Sequence, residues 1–475
     1  MAKDKVVLAY SGGLDTSVIV KWLQVERGMD VIAICGNVGQ DERDLGPIKQ
    51  KALDMGAIVS EAVDMREEYA EKILSKAIWA NGKYEGIYPL LSALSRPLIS
   101  KHLVDIAHEY GAQYVAHGCT GKGNDQVRFE TSIQALDPTL KLIAPVREWD
   151  LKTRDEEMVW AEANGVPVPT THKKPYSIDD NLWGRAIECG VLEDTWNTPP
   201  SDIWTMTKNP EECPNDPETV VIGFKGGVPC SVNGVEMSLL DVILKANEIA
   251  GRNGYGRIDM IEDRVVGIKS RECYECPGAL LLITAHQALE MLCLDAETLK
   301  QKAKLDVEWA SLVYRGMWFS QSRNAIDAYN AYTQKFVTGE VRIKLCKGGI
   351  FVDGLRSTYS LYDYNLATYD EGDQFDHSAS RGFIELHSLP SRIWSRVQGP
   401  GSGLAAHQLG AQRPAPAAHA VGLHQTRRRV RPSVRAVSHP GGSHGALVGQ
   451  VRGGNQRVRA QVGCVARNGQ GHGGA

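Results

Sequence analysis

The most constraining feature of the sequence is an apolar run that leads into a glycine turn near the amino terminus. Residues 6–9 (VVLA) suit a buried parallel strand, residues 11–13 (SGG) suit a turn, and residues 14–23 continue as a helix. A helix that begins directly after such a turn points unpaired backbone N–H groups, and the positive end of its dipole, towards one spot. Because glycine lets a ligand approach the backbone closely, this stretch predicts a cradle for a phosphate group.

Apolar runs and helical patterns alternate through the first third of the chain. Predicted strands lie at residues 5–10, 30–35, 58–63, 114–118 and 141–145, and predicted helices at about 15–27, 45–56, 64–80 and 89–110. This alternation predicts an α/β fold with a doubly wound parallel sheet and right-handed crossovers. Since ligands of such sheets bind beyond the carboxyl ends of the strands, the turns at residues 11–17, 36–40 and 118–125 are candidates for a binding site.

The third of these turns is rich in glycine and in polar side chains. Residues 118–125 read GCTGKGND, and they lie between a predicted strand and a helical pattern. Asn124 and Arg128 are four residues apart, so on a helix they share one face. Taken alone, these residues are also compatible with a solvated, charged start of a helix.

The first turn is not a Walker loop, since it has neither the G-x-x-x-x-G-K-[ST] spacing nor a lysine. Residues 11–17 (SGGLDTS) instead resemble the loop of the N-type ATP pyrophosphatases, whose shared chemistry is attack on the α-phosphate of ATP with release of pyrophosphate. An ordinary strand-to-helix turn is the alternative, but these residues in this order after a strand are a specific signal.

Further motifs narrow the resemblance to one family, the argininosuccinate synthases. The longest is HGCTGKGNDQVRFE at residues 117–130, and shorter ones lie at residues 37–40, 88, 96–97, 175–182, 256–262, 269–271, 274–275 and 382–384. Together they span roughly residues 4–390. The resemblance implies a ligase of arginine biosynthesis that joins citrulline and aspartate, and that converts ATP to AMP and pyrophosphate through a citrullyl-AMP intermediate.

The resemblance also implies a role for individual residues. ATP would be bound by Ala9, Tyr10, Ser11, Gly12, Gly13, Leu14, Asp15, Thr16, Ser17, Gly36 and Gly118. Citrulline would be bound by Tyr88, Ser92, Asn124, Arg128, Ser177, Glu262 and Tyr274, and aspartate by Thr120, Asn124 and Asp125. The catalytic residues would be Asp15, Arg128 and Asp125. No metal would be held by the protein alone, but Mg²⁺ would bind with ATP near Asp15.

Three departures from the family pattern bear on the site and on assembly. Leu91 and Ser92 replace the usual Gly-Thr pair, so one hydroxyl contact depends on Ser92. Ala186 stands where many members carry a serine that contacts citrulline. The C-terminal arm, which in the family helps to assemble a homotetramer, is shortened or replaced after about Arg396.

Three regions are predicted along the chain. Residues 1–167 would form the ATP-binding domain and residues 168–397 an α+β synthetase and oligomerisation domain, followed by a disordered tail at 398–475. In the second region, strands are predicted at 219–224 and 264–269, helices at 238–251 and 281–331, and a final meander at 335–386.

Residues 398–475 differ sharply in composition from the rest of the chain. They contain ten arginines, no lysine and no acidic residue, so of the net charge of −4 they contribute +10 and leave −14 on the residues before them. Lacking aromatic residues as well, this tail is predicted to be disordered, and a shifted reading frame or a fusion is one hypothesis for its origin. The acidic body argues against nucleic acid as a partner.

The compartment and the competing functions are the remaining sequence-based predictions. No signal peptide and no apolar span of membrane length is apparent, and the cysteines are scattered, so a cytoplasmic protein is expected. Cys273 and Cys276 form a lone C-x-x-C without further zinc ligands nearby.

One alternative function is tRNA thiolation, because residues 209–213 (NPEEC) faintly match a motif of tRNA-thiolating enzymes, although the motif stands in the wrong order along the chain. The other is a non-catalytic nucleotide-binding or RNA-binding protein, suggested by the basic tail.

Overall fold

The amino-terminal part of the chain folds around a five-stranded parallel sheet. A computed structural model describes residues 3–40, 45–151, 153–167 and 176–398, which fall into two compact units that divide after residue 377. The strands of this sheet are β1 (Lys5–Ala9), β2 (Asp30–Asn37), β3 (Val59–Asp64), β4 (Tyr114–Ala116) and β5 (Lys141–Ile143). They lie in the order β3-β2-β1-β4-β5, so the direction of strand addition reverses between β1 and β4.

Helices cover both faces of this sheet. They are α1 (Leu14–Val25), α2 (Leu45–Asp54), α3 (Arg66–Glu68), α4 (Ser75–Trp79), α5 (Leu91–Tyr110), α6 (Asp125–Leu136), α7 (Pro145–Glu148) and α8 (Arg154–Ala163), with a π-helical turn at Tyr69–Leu74 joining α3 to α4. Side chains of β1 alternate between the two faces, since Leu8 packs in one core with Val18 of α1, and Val7 packs in another with Leu103 of α5. The predicted doubly wound parallel fold is therefore confirmed.

The rest of the first unit contains two antiparallel sheets and further helices. The strands are β6 (Ser177–Asn181), β7 (Gly184–Glu188), β8 (Glu218–Lys225), β9 (Val228–Val232), β10 (Val235–Glu236), β11 (Arg257–Asp263), β12 (Lys269–Glu275), β13 (Gly339–Cys346) and β14 (Gly349–Arg356). They form one sheet in the order β11-β12-β7-β6 and another in the order β10-β9-β8-β13-β14. The helices are α9 (Leu239–Arg252), α10 (Pro277–Cys293), α11 (Ala296–Tyr314), α12 (Gln321–Thr333) and α13 (Tyr364–Ala367). The predicted α+β character of this region is confirmed.

Three local predictions in this region are wrong. Of residues 264–269, predicted as a strand, only Lys269 lies in one; residues 264–268 form the turn between β11 and β12, where Gly267 has a φ of +86° and Val266 and Ile268 are exposed. The single helix predicted at 281–331 is three helices, because Asp295 caps the start of α11 and the chain turns at Gly316. The predicted meander at 335–386 has strands only as far as Arg356 and continues with short helices.

The second unit, as far as it is described, consists of two short amphipathic helices. These are α14 (Ala379–His387) and α15 (Leu389–Gln398). Their exposed apolar side chains are Phe383, Ile384, Leu386, Leu389, Ile393, Trp394 and Val397. The predicted disorder of the tail concerns residues that, except for Gln398, lie outside the described part of the chain. Among the described residues, no helix combines the length and the apolar character that a membrane crossing requires.

Candidate active site

The first glycine turn connects β1 to α1 as the sequence predicts. Gly12 has a φ of +78°, a left-handed conformation that disfavours other residues, and a Cβ placed there would lie 3.0 Å from Cγ2 of Ile48. Gly13 occupies the N-cap of α1, and no side chain of the described residues caps this helix. The N–H groups of the first turn of α1 therefore remain available to a ligand, and the helix dipole favours an anion there.

Hydroxyl groups hold the turn in this shape. The Ser17 hydroxyl donates to the carbonyl of Gly13 at 2.7 Å, and Tyr10 Oη lies 3.1 Å from Ser17 Oγ. Tyr10 and Ser17 are both buried, so they support the turn from behind. Ser11 Oγ and Thr16 Oγ1 lie 3.1 Å apart on the outer side.

Asp15 stands apart from this hydrogen-bond network. Its side chain is exposed in the first turn of α1 and has no hydrogen-bond or ion-pair partner among the described residues. A carboxylate at this position is free to take a cation brought by a ligand.

A cavity of about 530 Å³ opens beside this turn, at the carboxyl ends of the parallel strands. It is lined by the first turn of α1, the ends of β1, β2 and β4, and the start of α6, including Ala9, Tyr10, Ser11, Gly13, Leu14, Asp15, Thr16, Gly36, Gly118 and Asp125. Gly118 packs against α1, since a Cβ there would lie 3.1 Å from Cδ1 of Ile19. The cavity thus gathers most of the residues predicted to bind ATP.

A network of charged side chains lies at the far side of the cavity. Arg96 Nη2 donates to Asp125 Oδ2 and to Asp179 Oδ2, each at 2.7 Å, and Arg128 Nη1 donates to Asp125 Oδ1 at 2.8 Å. Burial raises the pKa of Asp125, but the charges and hydrogen bonds of the two arginines outweigh it and hold the pKa well below the usual range. Asp125 is therefore an anion held between two cations.

A second cluster, rich in tyrosine, lies beyond Arg128. Tyr274 Oη donates to Glu262 Oε2 at 2.7 Å, and Tyr314 Oη donates to Glu262 Oε1 at 2.6 Å. The ring of Tyr88 stacks on that of Tyr274 with centroids 4.2 Å apart. Burial raises the pKa of the Glu262 carboxyl, and the two phenol hydrogen bonds oppose that rise. The arrangement provides a buried carboxylate among aromatic rings, which suits a ligand ammonium group.

Asn124 connects the glycine turn to this cluster. Its Oδ1 accepts from the backbone N–H of Val265 at 2.9 Å, and its Nδ2 donates to Tyr314 Oη at 2.8 Å. The turn between β11 and β12 therefore lies against residues 118–124. Ser92 joins the cluster through its backbone N–H, which donates to Tyr88 Oη at 3.0 Å.

Two of the predicted residues are not drawn into these contacts. Thr120 is exposed in the glycine turn, where its backbone carbonyl accepts from the N–H of Gly123 at 3.3 Å. Ser177 is exposed at the start of β6, opposite Glu188 of β7. Ala186, one of the departures from the family pattern, lies in register between Asp179 of β6 and Tyr274 of β12.

Sequence reasoning assigned no role to three residues that the structure places in the site. Arg96 and Asp179 lie within motifs that carry the family resemblance, so a signal for them was present in the sequence. Tyr314 ends α11, and helical periodicity marks it only as a core position. Its part in the site follows from tertiary contacts alone.

The cysteines offer no competing chemistry. All nine cysteines of the described residues are free thiols, and burial raises the pKa of both Cys273 and Cys276. Cys213 of the NPEEC stretch is also buried, and burial raises its pKa. Within the described part of the chain, no group of three or more His, Cys, Asp or Glu side chains is placed to hold a metal ion.

An anion cradle at the switch point of a parallel sheet, next to a cluster of charged and aromatic side chains, defines a nucleotide-binding α/β enzyme. Comparison with known proteins shows the family to which this enzyme belongs. Residues 5–167 match the arginosuccinate synthase N-terminal HUP domain, and residues 176–394 match the arginosuccinate synthase C-terminal domain. The chain belongs to the argininosuccinate synthase family and is an ATP-using ligase.

Individual relatives agree with the family models. The argininosuccinate synthase of Bacillus licheniformis is 54% identical over 396 residues, which are 83% of this chain and 98% of the relative. Those of Bacillus mycoides and Bacillus thuringiensis are each 54% identical over 397 residues, 84% of this chain and 98% of the relative. This similarity favours neither a tRNA-thiolating enzyme nor a non-catalytic nucleotide-binding protein.

Proposed function

We propose that this chain joins L-citrulline and L-aspartate to argininosuccinate and converts ATP to AMP and pyrophosphate. The observation that carries the proposal is a continuous path of contacts from the ATP cavity to Glu262. The path runs from Asp125, which lines the cavity, through Arg128 to the tyrosine cluster. Such a path brings a nucleotide in the cavity and an amino acid in the cluster within reach of each other.

ATP would lie in the cavity with its phosphates at the first turn of α1. The open N–H groups of that turn and the hydroxyls of Ser11 and Thr16 are the donors for the phosphates. Gly36 and Gly118 stand at the strand ends beside the cavity, where a Cβ on Gly36 would lie 3.0 Å from the end of the Met65 side chain and one on Gly118 would lie 3.1 Å from Cδ1 of Ile19. These contacts would hold the α-phosphorus open to attack from the side of Asp125.

Citrulline would lie between Arg128 and the tyrosine cluster. Glu262 provides a carboxylate for its α-ammonium group, and Arg128 a planar guanidinium for its carboxylate. The ureido oxygen would then attack the α-phosphorus of ATP, and the bond from that phosphorus to the bridging oxygen of pyrophosphate would break. This step turns the ureido oxygen into part of a good leaving group.

Aspartate would bind near residues 120–125. Its amine, after losing a proton, would attack the ureido carbon, and the carbon–oxygen bond would break so that AMP leaves with the former ureido oxygen. The Asp125 carboxylate suits the ammonium group of the incoming amino acid, and Thr120 and Asn124 provide polar groups beside it. No protein nucleophile is needed, so this chain would act by positioning and by charge stabilisation.

Mg²⁺ fits the exposed carboxylate of Asp15, because this metal prefers oxygen ligands and is usually bound by one or two carboxylates together with phosphates. When bound with ATP it would neutralise charge on the departing pyrophosphate. Asp15 would hold the Mg²⁺ ion at the end of the cradle from which pyrophosphate leaves.

The division of labour along the chain is part of the proposal. Residues 1–167 would bind ATP, and residues 168–397 would complete the amino-acid sites and assemble a homotetramer in the cytoplasm. The exposed apolar side chains of α14 and α15 support assembly, because contiguous apolar surface is typical of protein interfaces.

The function is tested by steady-state release of pyrophosphate from ATP by the purified full-length chain. Release is expected only when citrulline, aspartate and Mg²⁺ are all present, with AMP and argininosuccinate formed in equal amounts. Each substrate is omitted in turn as a control. Sustained release without citrulline, or formation of ADP, would show that the chain catalyses a different reaction.

A further inference from the structure

Tyr314 lies at the centre of the predicted citrulline site although it belongs to none of the motifs that define that site. It is the last residue of α11, and its side chain is fully buried. Its hydroxyl accepts from Asn124 Nδ2 at 2.8 Å and donates to Glu262 Oε1 at 2.6 Å. A single hydroxyl thus joins the glycine turn before α6 to strand β11.

The backbone and ring of Tyr314 contact a third site residue. Arg128 Nε donates to the carbonyl oxygen of Tyr314 at 3.0 Å, and the guanidinium carbon lies 4.9 Å from the centre of the Tyr314 ring. The ring also stacks on that of Tyr84, with centroids 3.6 Å apart, and meets the ring of Tyr88 edge-on, with centroids 6.4 Å apart. Side chain and backbone of Tyr314 therefore together contact Asn124, Arg128 and Glu262.

The close approach of α11 to α6 has a local cause. Gly316, which follows the end of α11, has a φ of +79°, and a Cβ there would lie 2.9 Å from Cα of Arg128. Glycine at this position lets the end of α11 lie directly against the backbone of α6. Tyr314 is consequently held next to Arg128 by the fold.

The direction of the hydrogen bonds follows from the groups involved. An amide nitrogen can only donate, so the hydroxyl of Tyr314 accepts from Asn124 and its single proton is directed at Glu262. Tyr274 donates to the other oxygen of the same carboxylate. With both oxygens fixed by phenols, the carboxylate plane of Glu262 has one orientation, and each oxygen keeps a lone pair for a ligand.

We propose that Tyr314 is a positioning residue for citrulline, which orients Glu262, Asn124 and Arg128 towards this substrate without a role in binding ATP. This inference rests on the proposed function. Removing the hydroxyl would leave Glu262 with one phenol donor, and it would leave a buried N–H of Asn124 without its partner. The aromatic stack on Tyr84 and the backbone contact with Arg128 would remain.

The test is the variant Tyr314→Phe in the full-length chain, assayed for the Michaelis constant of each substrate. We expect the constant for citrulline to rise about tenfold or more, the effect of losing a hydrogen bond to a charged group. The Michaelis constant for aspartate should rise less, because Asn124 is the only contact of Tyr314 that also belongs to the predicted aspartate site. The constant for ATP should stay within about twofold of the wild-type value. The matched control is Tyr110→Phe, which removes a phenol–carboxylate hydrogen bond of 2.6 Å to Glu61 outside the site.

A double-mutant cycle with Glu262→Gln separates positioning from a general structural effect. If Tyr314 acts through Glu262, the loss of its hydroxyl should raise the citrulline constant much less in the Glu262→Gln variant than in the wild type. Equal effects on all three substrates, or fully additive effects in the cycle, would overturn the inference. Failure of the proposed function would be distinguishable, because the wild-type protein would then show no release of pyrophosphate that depends on citrulline and aspartate.

Discussion

Arg128 Nη1 lies 2.8 Å from Asp125 Oδ1, and this contact joins the two halves of the candidate active site. Asp125 lines the cavity at the end of the parallel sheet, whereas Arg128 lies against Tyr314 and so faces the tyrosine cluster. The two residues are one turn apart at the start of α6. The start of a single helix therefore aligns the proposed nucleotide site with the proposed amino-acid site.

Arg128→Lys should weaken citrulline binding selectively. Lysine keeps the charge but loses the planar group that contacts both Tyr314 and Asp125, so the Michaelis constant for citrulline should rise about tenfold or more while that for ATP changes little. Substrate titrations in the pyrophosphate assay measure this. Arg252→Lys, which alters an ion pair with Glu218 outside the site, is the control. An equal effect on every substrate would indicate a damaged helix instead.

Asp15→Asn should abolish turnover and leave the fold intact. The carboxylate is exposed and unpartnered among the described residues, so its loss should change the free energy of unfolding by at most about 1 kcal/mol. Loss of a charge that holds Mg²⁺ at the leaving group should raise the reaction barrier far more. Urea denaturation and pyrophosphate release measure the two effects. Near-normal release at saturating ATP and Mg²⁺ would contradict the role of Asp15.

Ala186→Ser should improve citrulline binding. Ala186 lies in register with Tyr274, at a position where many members of the family that this sequence resembles carry a serine. One added hydrogen bond between neutral groups corresponds to a decrease in the Michaelis constant of roughly twofold to tenfold. The constants for ATP and aspartate serve as internal controls. An unchanged or higher constant for citrulline would mean that this strand position does not contact the substrate.

Stability should fall between about pH 4.5 and pH 7 because of Glu272. Burial and, after it, repulsion from Glu188 raise the pKa of Glu272 from 4.5 to about 7. The pKa of Glu272 is therefore higher in the folded protein than in the unfolded chain. Its contribution to stability is fully present below the pKa of the unfolded chain, and it is lost as the pH rises through the pKa of the folded protein. Urea denaturation at several pH values measures the loss.

In the variant Glu272→Gln the pH-dependent loss should shrink by on the order of 3 kcal/mol, since each unit of pKa shift corresponds to about 1.4 kcal/mol. Glu188→Gln is the matched variant, since removing the repulsive neighbour should move the loss to lower pH. If the wild type and both variants showed the same pH dependence, the raised pKa of Glu272 would be refuted.

The parallel sheet could be predicted from the sequence because its strands are buried on both faces. Strands β1 and β2 are continuous apolar runs, and the glycine turns end them at the edge where ligands bind. The turn at residues 264–268 could not be predicted from the sequence. Val265, Val266 and Ile268 have side chains that are typical of strands, and only the left-handed conformation of Gly267 marks the turn.

The candidate site shows the same division between local and tertiary information. The turn of residues 11–17 is contiguous, so its shape could be predicted from residue types alone. Glu262 and Tyr274 come together because β11 and β12 are paired strands, and only the family resemblance linked them beforehand. Tyr314 arrives from a helix far along the chain, where no local pattern distinguishes a buried tyrosine that packs from one that orients a carboxylate.

The central claim is that the ureido oxygen of citrulline attacks the α-phosphorus of ATP and leaves with AMP. The most direct measurement uses citrulline labelled with ¹⁸O in its ureido group, followed by mass spectrometry of the AMP formed with ATP and aspartate. Our account predicts one ¹⁸O atom in the phosphate of each AMP and none in pyrophosphate. Unlabelled AMP would contradict it, because the oxygen would then have reached the phosphorus from water or from another nucleophile.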